Sequence, residues 1–269
     1  MKLHNNRKYR MLVSDTPISR EVMQATCPAI FASSPHSSRS DKYRFISTID
    51  VLDALFDEGY HAYTCGQTTP RDTDRFGTAK HIVRMRKITT PGIDVKNEIV
   101  LKNAHNGESR SVLYAGVFRT VCMNGLIAGD IAQEIGLRHT GTTVGDYVEG
   151  AYEIIKQFDK VDDSRHAMEQ TFLSTEDYKH FAEEALKLRW PDPETEHVDA
   201  SYFTYPNRQV DLKKDLFTMF NIIQENLLRG GIYGYTNKHN HKKVRAITGI
   251  DQIISINKGL WTLADSMIT

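Results

Sequence analysis

The dipeptide Asn106-Gly107 is the feature that most constrains the fold of this chain. It lies between two runs with strand-like composition, 98–103 and 109–118. Asn-Gly favours the positive φ angles of a tight hairpin turn, so the two runs are predicted to pair as antiparallel strands. An antiparallel sheet is therefore expected in the first half of the chain.

The sequence on either side of this hairpin predicts an α+β fold, with a helix and the sheet first and a helical C-terminal half after them. A helix is expected over 48–58, where Ser47 or Thr48 caps the first turn and Gly59 ends the last one. Two further strands are expected, at 60–66 and 80–88. Apolar residues then recur at helical spacing, which predicts helices over 146–158, 174–190, 215–229 and 250–267. The expected domains are an irregular basic segment 1–46, an α+β sheet core 47–145, and a helical region 146–269 packed on it.

The composition is typical of a soluble globular protein. Of the 269 residues 40% are hydrophobic, and 34 Lys and Arg balance 34 Asp and Glu. No apolar run approaches the roughly 20 residues needed to span a bilayer, and the N-terminus lacks the apolar stretch of a signal peptide. Cys27, Cys65 and Cys122 lie far apart in sequence, which favours buried, reduced thiols over disulfides or a zinc site. We expect a cytoplasmic protein with no membrane association.

The balanced total charge hides a segregation along the chain. Residues 229–245 contain five Lys or Arg and no acid, and the segments 1–48 and 71–87 are also basic. Residues 153–199 show the reverse, with 13 acids against six Lys or Arg. Such segregation predicts one surface that attracts polyanions, although any single run is equally consistent with a solvated face.

The segment 229–245 is the strongest candidate for a binding site. Its three glycines predict a mobile loop, and its Tyr and cationic side chains are typical of a contact with phosphate-rich partners. Side chains of one parity on the predicted strand 80–88 form a second candidate track for phosphates. Tyr60, Tyr63 and Tyr114 are candidates for base stacking or for the core. The residues predicted to bind nucleic acid are Lys80, Arg84, Arg86, Arg229, Lys238, Lys242, Lys243 and Arg245.

Signals for catalysis are weak. His239-Asn-His241 invites a metal or nuclease interpretation, but no Cys, Asp or Glu in 229–245 adds a ligand. Asp94, Glu98 and Lys102 resemble the order of a nuclease triad with the wrong spacing, and solvated strand edges explain them better. No phosphate-binding loop, nucleophile elbow or zinc-protease motif is present. We expect no cofactor, and the sequence favours binding over enzymatic activity without deciding between them.

Five blocks of the sequence carry a family resemblance. They are His36-Ser-Ser-Arg-Ser40 with Tyr43 and 48–52, then 103–107, 115–125, 224–231, and 248–251 with 260–264. Together they resemble a family of proteins of unknown function encoded by phages, prophages and plasmids. The resemblance extends from about residue 30 to the end of the chain. It implies a mobile-element protein in a bacterial cytoplasm and assigns no activity.

A second similarity concerns only the order of elements. A helix, a strand, a basic strand and a hairpin, followed by helices, is similar to the order in single-strand annealing proteins of the Rad-fifty-two type. No annealing motif accompanies it. The similarity implies a ring-forming oligomer that holds single-stranded DNA in a basic groove.

Three functions follow as expectations. The first is a homo-oligomeric protein that binds and anneals single-stranded DNA in recombination, with no catalytic residue required. The second is a counter-defence protein that binds a host immune or restriction factor through the acidic segment 153–199. The third is a metal-dependent nuclease.

Overall fold

An antiparallel sheet forms most of the first half of the chain, in a computed structural model that describes residues 1–5, 9–88, 94–119, 124–128, 135–137, 143–236 and 238–268. The described strands run β1 to β7 in spatial order, and β8 also pairs with β6. Their bounds are β1 (Lys2–Asn5), β2 (Tyr9–Val13), β3 (Tyr60–Thr68), β4 (His81–Lys87), β5 (Val95–Asn103), β6 (Ser111–Arg119), β7 (Asn124–Ile127) and β8 (Ile135–Leu137).

The hairpin predicted around Asn106-Gly107 is confirmed. Strands β5 and β6 pair antiparallel with Ile99 opposite Ala115, and their turn contains Gly107. Gly107 has a φ of +77°, a conformation that costs glycine little because it has no Cβ. The strand on the other side of β5 is the predicted basic strand, β4, in which His81 is opposite Asn103.

Three helices accompany this sheet in the chain: α1 (Arg20–Thr26), α2 (Thr48–Asp57) and α3 (Val144–Ile155). Helix α2 begins where it is predicted, because the Ser47 hydroxyl accepts a hydrogen bond from the backbone N–H of Asp50. It buries Val51, Leu52 and Leu55 at helical spacing. The predicted start and cap of this helix are therefore confirmed.

The expectation of an irregular segment 1–46 is wrong, because β1, β2, α1 and a 3-10 helix at Pro28–Phe31 lie within it. Strand β2 is held by pairing with β3, in which Leu12 is opposite Cys65. Leu12 and Val13 are buried there. Strand β2 also pairs with the adjacent β1, but its pairing with β3 joins residues about 50 positions apart, so local composition reveals only part of this arrangement.

Helices dominate the second half of the chain, which confirms the predicted α+β class. Asp215 caps α6 by accepting from the N–H and hydroxyl of Thr218, and Ser174 caps α5 in a capping box with Asp177. Helix α4 is not predicted, because only Val161, Ser164 and Met168 of its residues are buried. The helices are α4 (Phe158–Gln170), α5 (Thr175–Arg189), α6 (Leu216–Arg229) and α7 (Ile250–Asp265).

The chain divides into two compact units. The first comprises Met1–Leu126 with Ala132–Phe158, and the second comprises Ile127–Ile131 with Asp159–Thr269. Helix α3 falls in the first unit, whereas the sequence assigns it to the helical region 146–269. Both tryptophans, Trp190 and Trp261, lie in the second unit, and Trp261 packs edge-on against Phe220 at 5.8 Å in its core.

None of the described helices combines the length and the apolar content required to cross a bilayer. Cys27 and Cys65 are buried free thiols, as expected, and Cys122 lies outside the described residues. A hydrogen bond with Cys65 and burial raise the pKa of the Cys27 thiol above its ordinary value.

Candidate nucleic-acid interface

The basic segment 229–245 forms a β-hairpin in the second unit, where the sequence predicts a mobile loop. Its strands are β9 (Tyr233–Tyr235) and β10 (His241–Lys243), with Gly234 opposite Lys242. Backbone hydrogen bonds from Gly231 and Val244 extend the pairing toward α6. The far end closes through Thr236 N–H to the Asn240 carbonyl at 3.0 Å.

Four side chains share the outward face of this hairpin, and we call them the hairpin face: Tyr233, Tyr235, His241 and Lys243. Alternation along a strand puts residues 233 and 235 on one side, and the register puts 243 and 241 directly opposite them. Both tyrosines are 55% exposed. The His241 ring stacks on Tyr233 at 5.8 Å and meets Tyr235 edge-on at 5.6 Å, while Lys243 Nζ lies 4.8 Å from the Tyr233 ring centre.

The opposite face of the hairpin packs against other residues of the second unit. Gly234 lies there, and a Cβ added to it would be 2.6 Å from Val198 and 2.7 Å from Tyr202. No side chain fits at that position without displacing these neighbours. The close approach lets Thr236 form an isolated β-bridge with Val198, and Asp199 N–H donates to the Tyr235 carbonyl. The hairpin is therefore attached along its length.

Glu196 ties down the tip of the hairpin. Its carboxylate accepts hydrogen bonds from the Thr236 hydroxyl at 2.5 Å and from the Asn240 amide at 2.8 Å. These bonds, with attraction from Lys242 and Lys238, hold the pKa of Glu196 below its ordinary value. Lys242 Nζ donates to the Glu196 backbone carbonyl at 2.8 Å, so this exposed lysine is directed toward Glu196 and away from the hairpin face. His239, in the turn, has a φ of +58°, a conformation that is uncommon outside glycine.

Gly230 and Arg189 shape the base of the hairpin. Gly230 has a φ of +62°, and an added Cβ would be 2.6 Å from the carbonyl carbon of Arg245. Arg189 donates to the carbonyl oxygens of Leu227 and Arg245, the latter at 2.5 Å. Burial lowers the pKa of Arg189 to about 10. The Arg189 guanidinium thus joins the end of α6 to the end of the hairpin.

A groove of about 690 Å³ runs beside β10. Trp190 and His197, whose rings stack at 5.7 Å, line it together with Arg189, Val198 and 241–245. The groove and the hairpin face share His241 and Lys243, and each contains aromatic rings and cations. The predicted residues Lys238, Lys242, Lys243 and Arg245 are all exposed on or beside the hairpin.

Arg229 has a different position from the other predicted cations of this segment. It forms an ion pair with Glu225, which also pairs with Arg208 at 2.7 Å. Glu225 is 5% exposed, so this carboxylate is shared between two guanidinium groups at the surface of α6. The geometry gives Arg229 a structural ion pair and does not place it on the hairpin face.

The predicted phosphate track on strand 80–88 is wrong for two of its three residues. Arg84 and Arg86 are buried and pair with the buried carboxylate of Glu98, each at 2.5 Å. The Arg86 guanidinium lies between the rings of Tyr63 and Phe118, at 3.8 and 4.3 Å from their centres. Arg84 and Arg86 share one face of the strand, but that face is buried and holds their ion pairs with Glu98. Neither guanidinium is therefore accessible to a phosphate. Lys80 is half-buried and immediately precedes β4.

The buried surroundings of Glu98 also change the interpretation of the three candidate tyrosines and of the set Asp94, Glu98 and Lys102. Tyr60, Tyr63 and Tyr114 are each about 5% exposed or less, so they belong to the core of the first unit. Glu98 and Lys102 are buried, so the interpretation as solvated strand edges is wrong for both, while Asp94 lies 3.5 Å from Arg119. Among the described residues, no group of three His, Cys, Asp or Glu side chains is arranged to hold a metal ion.

Sequence reasoning missed a buried polar cluster in the first unit. The Thr48 hydroxyl lies 2.9 Å from His81 Nε2 and 3.0 Å from His105 Nε2, and it accepts from the Asn103 amide at 3.0 Å. All four side chains are 1% exposed or less, and burial lowers the pKa of His81 to about 4. The sequence feature that could have revealed this cluster is the β5–β6 hairpin, because Asn103 at the end of β5 lies beside the start of β4.

Two blocks of the family resemblance also meet at this end of the sheet. The His36 N–H donates to the His105 carbonyl at 3.1 Å, and the Tyr43 hydroxyl donates to the Ala104 carbonyl at 3.1 Å. Burial is the main cause that raises the pKa of Tyr43 to about 12. Residues 36–43 therefore pack against the turn of the β5–β6 hairpin.

Comparisons with known proteins give a family but no activity. The model of a domain of unknown function (DUF932) matches residues 35–261. Two proteins of Escherichia coli (strain K12), "UPF0380 protein YafZ" and "UPF0380 protein YfjQ", are each 36% identical over 258 residues. Each match covers 95% of this chain and 93% of the relative. No solved structure matches the chain at a significant level, so the similarity to single-strand annealing proteins has no support from structures.

Proposed function

Because the chain belongs to the DUF932 family of unknown function, its activity must be inferred from its own surface, and we propose that it binds single-stranded nucleic acid on the hairpin face. The observation that carries the proposal is the outward alignment of Tyr233, Tyr235, His241 and Lys243 on β9 and β10. Exposed aromatic rings beside cations are the combination that single-strand binding surfaces use.

The two tyrosines supply surfaces for bases. They stand two residues apart on one strand, about 7 Å along it, which leaves room for separate contacts. Base–aromatic stacking contributes about 1–3 kcal/mol per base and tolerates any sequence. Large aromatic rings that stay exposed to water are unfavourable, and a base stacked on them would remove part of their surface from water.

Cations at both ends of the hairpin suit the phosphates of such a strand. Lys238 lies in the turn, Lys243 is on the hairpin face, and Arg245 is exposed two residues beyond the end of β10. Lys242 points toward Glu196 and is assigned an anchoring role instead. A strand lying along β10 would therefore meet Lys238, Lys243 and Arg245 in turn.

The biological use that we propose is annealing of DNA strands in recombination of a mobile element, in the cytoplasm of a bacterial host. Stacking uses the faces of bases and leaves their pairing edges unoccupied, so a bound strand can meet its complement. Binding along single strands is commonly cooperative, which supports a homo-oligomer as the working form. Faster duplex formation from complementary oligonucleotides would measure this step.

The proposal is tested by salt-dependent binding of a labelled oligothymidylate of about 12 nucleotides. We expect fluorescence anisotropy to show a steep loss of affinity between about 50 and about 200 mM salt. The double variant Lys243→Gln/Arg245→Gln should reduce the slope of log K against log salt by about 1.4, because two phosphate contacts are removed. The exposed Lys42→Gln variant, in the first unit, is the matched control.

Two results would contradict the proposal: no binding by the wild-type protein, or equal slopes in the double variant and the control. A gel of the same strand after incubation with Mg²⁺ or Mn²⁺ addresses the nuclease alternative, which cleavage would favour.

The counter-defence alternative depends on the acidic segment 153–199. Several of its carboxylates pair within their own helices, including Glu169 with Arg165 at 2.6 Å and Glu184 with Lys187 at 2.5 Å. Such pairing reduces the negative potential that the segment offers to a basic partner. The hairpin face therefore has the better structural support as the binding surface.

A further inference from the structure

The groove of about 690 Å³ beside β10 adjoins the hairpin face in the second unit. Its volume falls within the range of about 300–1,000 Å³ that is typical of small-molecule sites. Its walls are Arg189 and Trp190 at the end of α5, with 197–198 and 241–245. Because His241 and Lys243 belong to both surfaces, a strand bound on the hairpin face has the groove directly beside it.

The groove is positively charged. Among the described residues that line it, Arg189, Lys242, Lys243 and Arg245 are cationic and none is acidic. Arg189 and Lys242 are occupied, because they donate hydrogen bonds to backbone carbonyl oxygens. Lys243 and Arg245 are exposed, so their cationic groups are accessible to a ligand. A concave surface with this charge favours an anion such as a phosphate group.

Trp190 and His197 form an aromatic wall of the groove. Their rings stack at 5.7 Å with an interplanar angle of 25°. The Arg189 guanidinium lies 4.5 Å from the centre of the Trp190 ring, and Phe203 meets that ring edge-on at 6.0 Å, so Trp190 is held in place. His197 is half-buried and has one ring face on Trp190. A histidine ring has two faces, and the bases of single strands stack on such rings.

We propose that the groove receives one unpaired nucleotide of a strand bound on the hairpin face. The base stacks on the face of His197 that is turned away from Trp190. The phosphate pairs with Arg245, whose guanidinium fork matches two phosphate oxygens. The inference rests on the proposed function, because the nucleotide is part of that strand. It adds a preference for single strands, since a paired base must first leave its pair and its stack.

Trp190 provides the readout, because it lines the groove, whereas Trp261 is fully buried in the core of the second unit. An oligothymidylate of about 12 nucleotides is titrated into the full-length protein, labelled for anisotropy and unlabelled for tryptophan emission. We expect the emission to fall with the same midpoint as the anisotropy rises. Trp190→Phe, which keeps a ring beside His197, should abolish the change in emission. The same strand paired with oligoadenylate should leave the emission of the wild type unchanged.

Three variants test the base contact. His197→Leu removes the ring and should weaken the affinity for the strand at least about fivefold, the loss expected for one stacked base. His197→Phe keeps an aromatic face and should bind as the wild type does. His180→Leu, which changes an exposed histidine of α5 outside the groove, is the matched control. Circular dichroism checks folding, and if His197→Leu unfolds, the emission of the wild type carries the test.

The outcomes separate this inference from the proposed function. No change in anisotropy with the wild type would contradict the proposed function, and the groove inference with it. A normal change in anisotropy without a change in tryptophan emission would overturn the groove alone. Equal affinity of His197→Leu and the His180→Leu control would do the same, as would a duplex that lowers the emission as strongly as the single strand does.

Discussion

Lys243 stands directly across the hairpin from Tyr233, and its Nζ lies 4.8 Å from the centre of the tyrosine ring. This pair places a positive charge beside an exposed aromatic ring on the β9–β10 hairpin. A base stacked on Tyr233 would have its phosphate within reach of the Lys243 ammonium group. One step along the strands, His241 stands across from Tyr235, with the two rings edge-on at 5.6 Å.

Removal of the two exposed tyrosines tests this arrangement. The Tyr233→Ala/Tyr235→Ala variant should lose about 2 kcal/mol or more of binding free energy for an oligothymidylate, since each stacked base contributes about 1–3 kcal/mol. Fluorescence anisotropy at fixed salt measures the loss. Tyr205→Ala is the matched control, because Tyr205 is 64% exposed and lies outside the hairpin. Equal losses in both variants would remove the hairpin face from the proposal.

Gly234 should be intolerant of any side chain. In Gly234→Ala the new Cβ would lie 2.6 Å from Val198, so we expect a decrease of about 1–3 kcal/mol in the free energy of unfolding of the second unit. Tryptophan fluorescence in a denaturant titration reports on this unit, which contains Trp190 and Trp261. Gly77→Ala, at a position with no atom within 4 Å of an added Cβ, should change little. A stable Gly234→Ala protein would show that the hairpin can lift away from Val198.

Glu98 should be needed for stability because its carboxylate pairs with two buried cations. Glu98→Gln leaves Arg84 and Arg86 with an uncharged partner, and loss of a buried ion-pair partner costs roughly 3–5 kcal/mol. Hydrogen exchange of the β4–β6 amides measures the effect in the first unit. Glu183→Gln, which removes an exposed pair with Lys179, should alter stability by about 0.5 kcal/mol or less. Full stability of Glu98→Gln would argue that the two guanidinium groups find other partners.

His81 should make the first unit sensitive to acid. Its pKa is about 4 in the fold against an ordinary 6.5, so the unfolded chain takes up the proton first as the pH falls. The free energy of unfolding is therefore unaffected above about pH 6.5 and declines between about 6.5 and 4, by at most about 1.4 kcal/mol per pH unit. Denaturant titrations at several pH values measure the slope. His81→Gln should flatten it in this window, and the exposed His180→Gln should not.

The sheet was accessible from the sequence where its strands are linked by local turns. Asn106-Gly107 defines β5 and β6, and the caps at Ser47, Ser174 and Asp215 define three helix starts, because these signals lie within a few residues of the structures they specify. Strand β2 was missed although it also pairs with the adjacent β1, since its pairing with β3 joins residues about 50 positions apart. The β9–β10 hairpin was missed because its glycines suggest freedom, whereas Gly230 and Gly234 permit close packing.

The residues predicted to bind nucleic acid show a similar division. Charge and spacing predicted Lys238, Lys243 and Arg245 as surface cations, and the structure exposes all three. The same logic failed for Arg84 and Arg86, because strand parity reveals that two side chains share a face but not whether that face is covered. The sequence pattern did not reveal that Glu98 covers this face. Glu98 lies at the position of β5 that allows one carboxylate to meet both guanidinium groups, a relation that only the sheet register provides.

The hydrogen bonds between Glu196 and the hairpin tip affect the entropy cost of binding a ligand on the hairpin. Hydrogen bonds to Thr236 and Asn240 fix the turn before any ligand arrives, and Gly234 fixes the strand behind it. The loss of conformational entropy is then incurred on folding and not on association. If a strand binds here as proposed, this surface would act as a rigid template and the strand would be the partner that adapts.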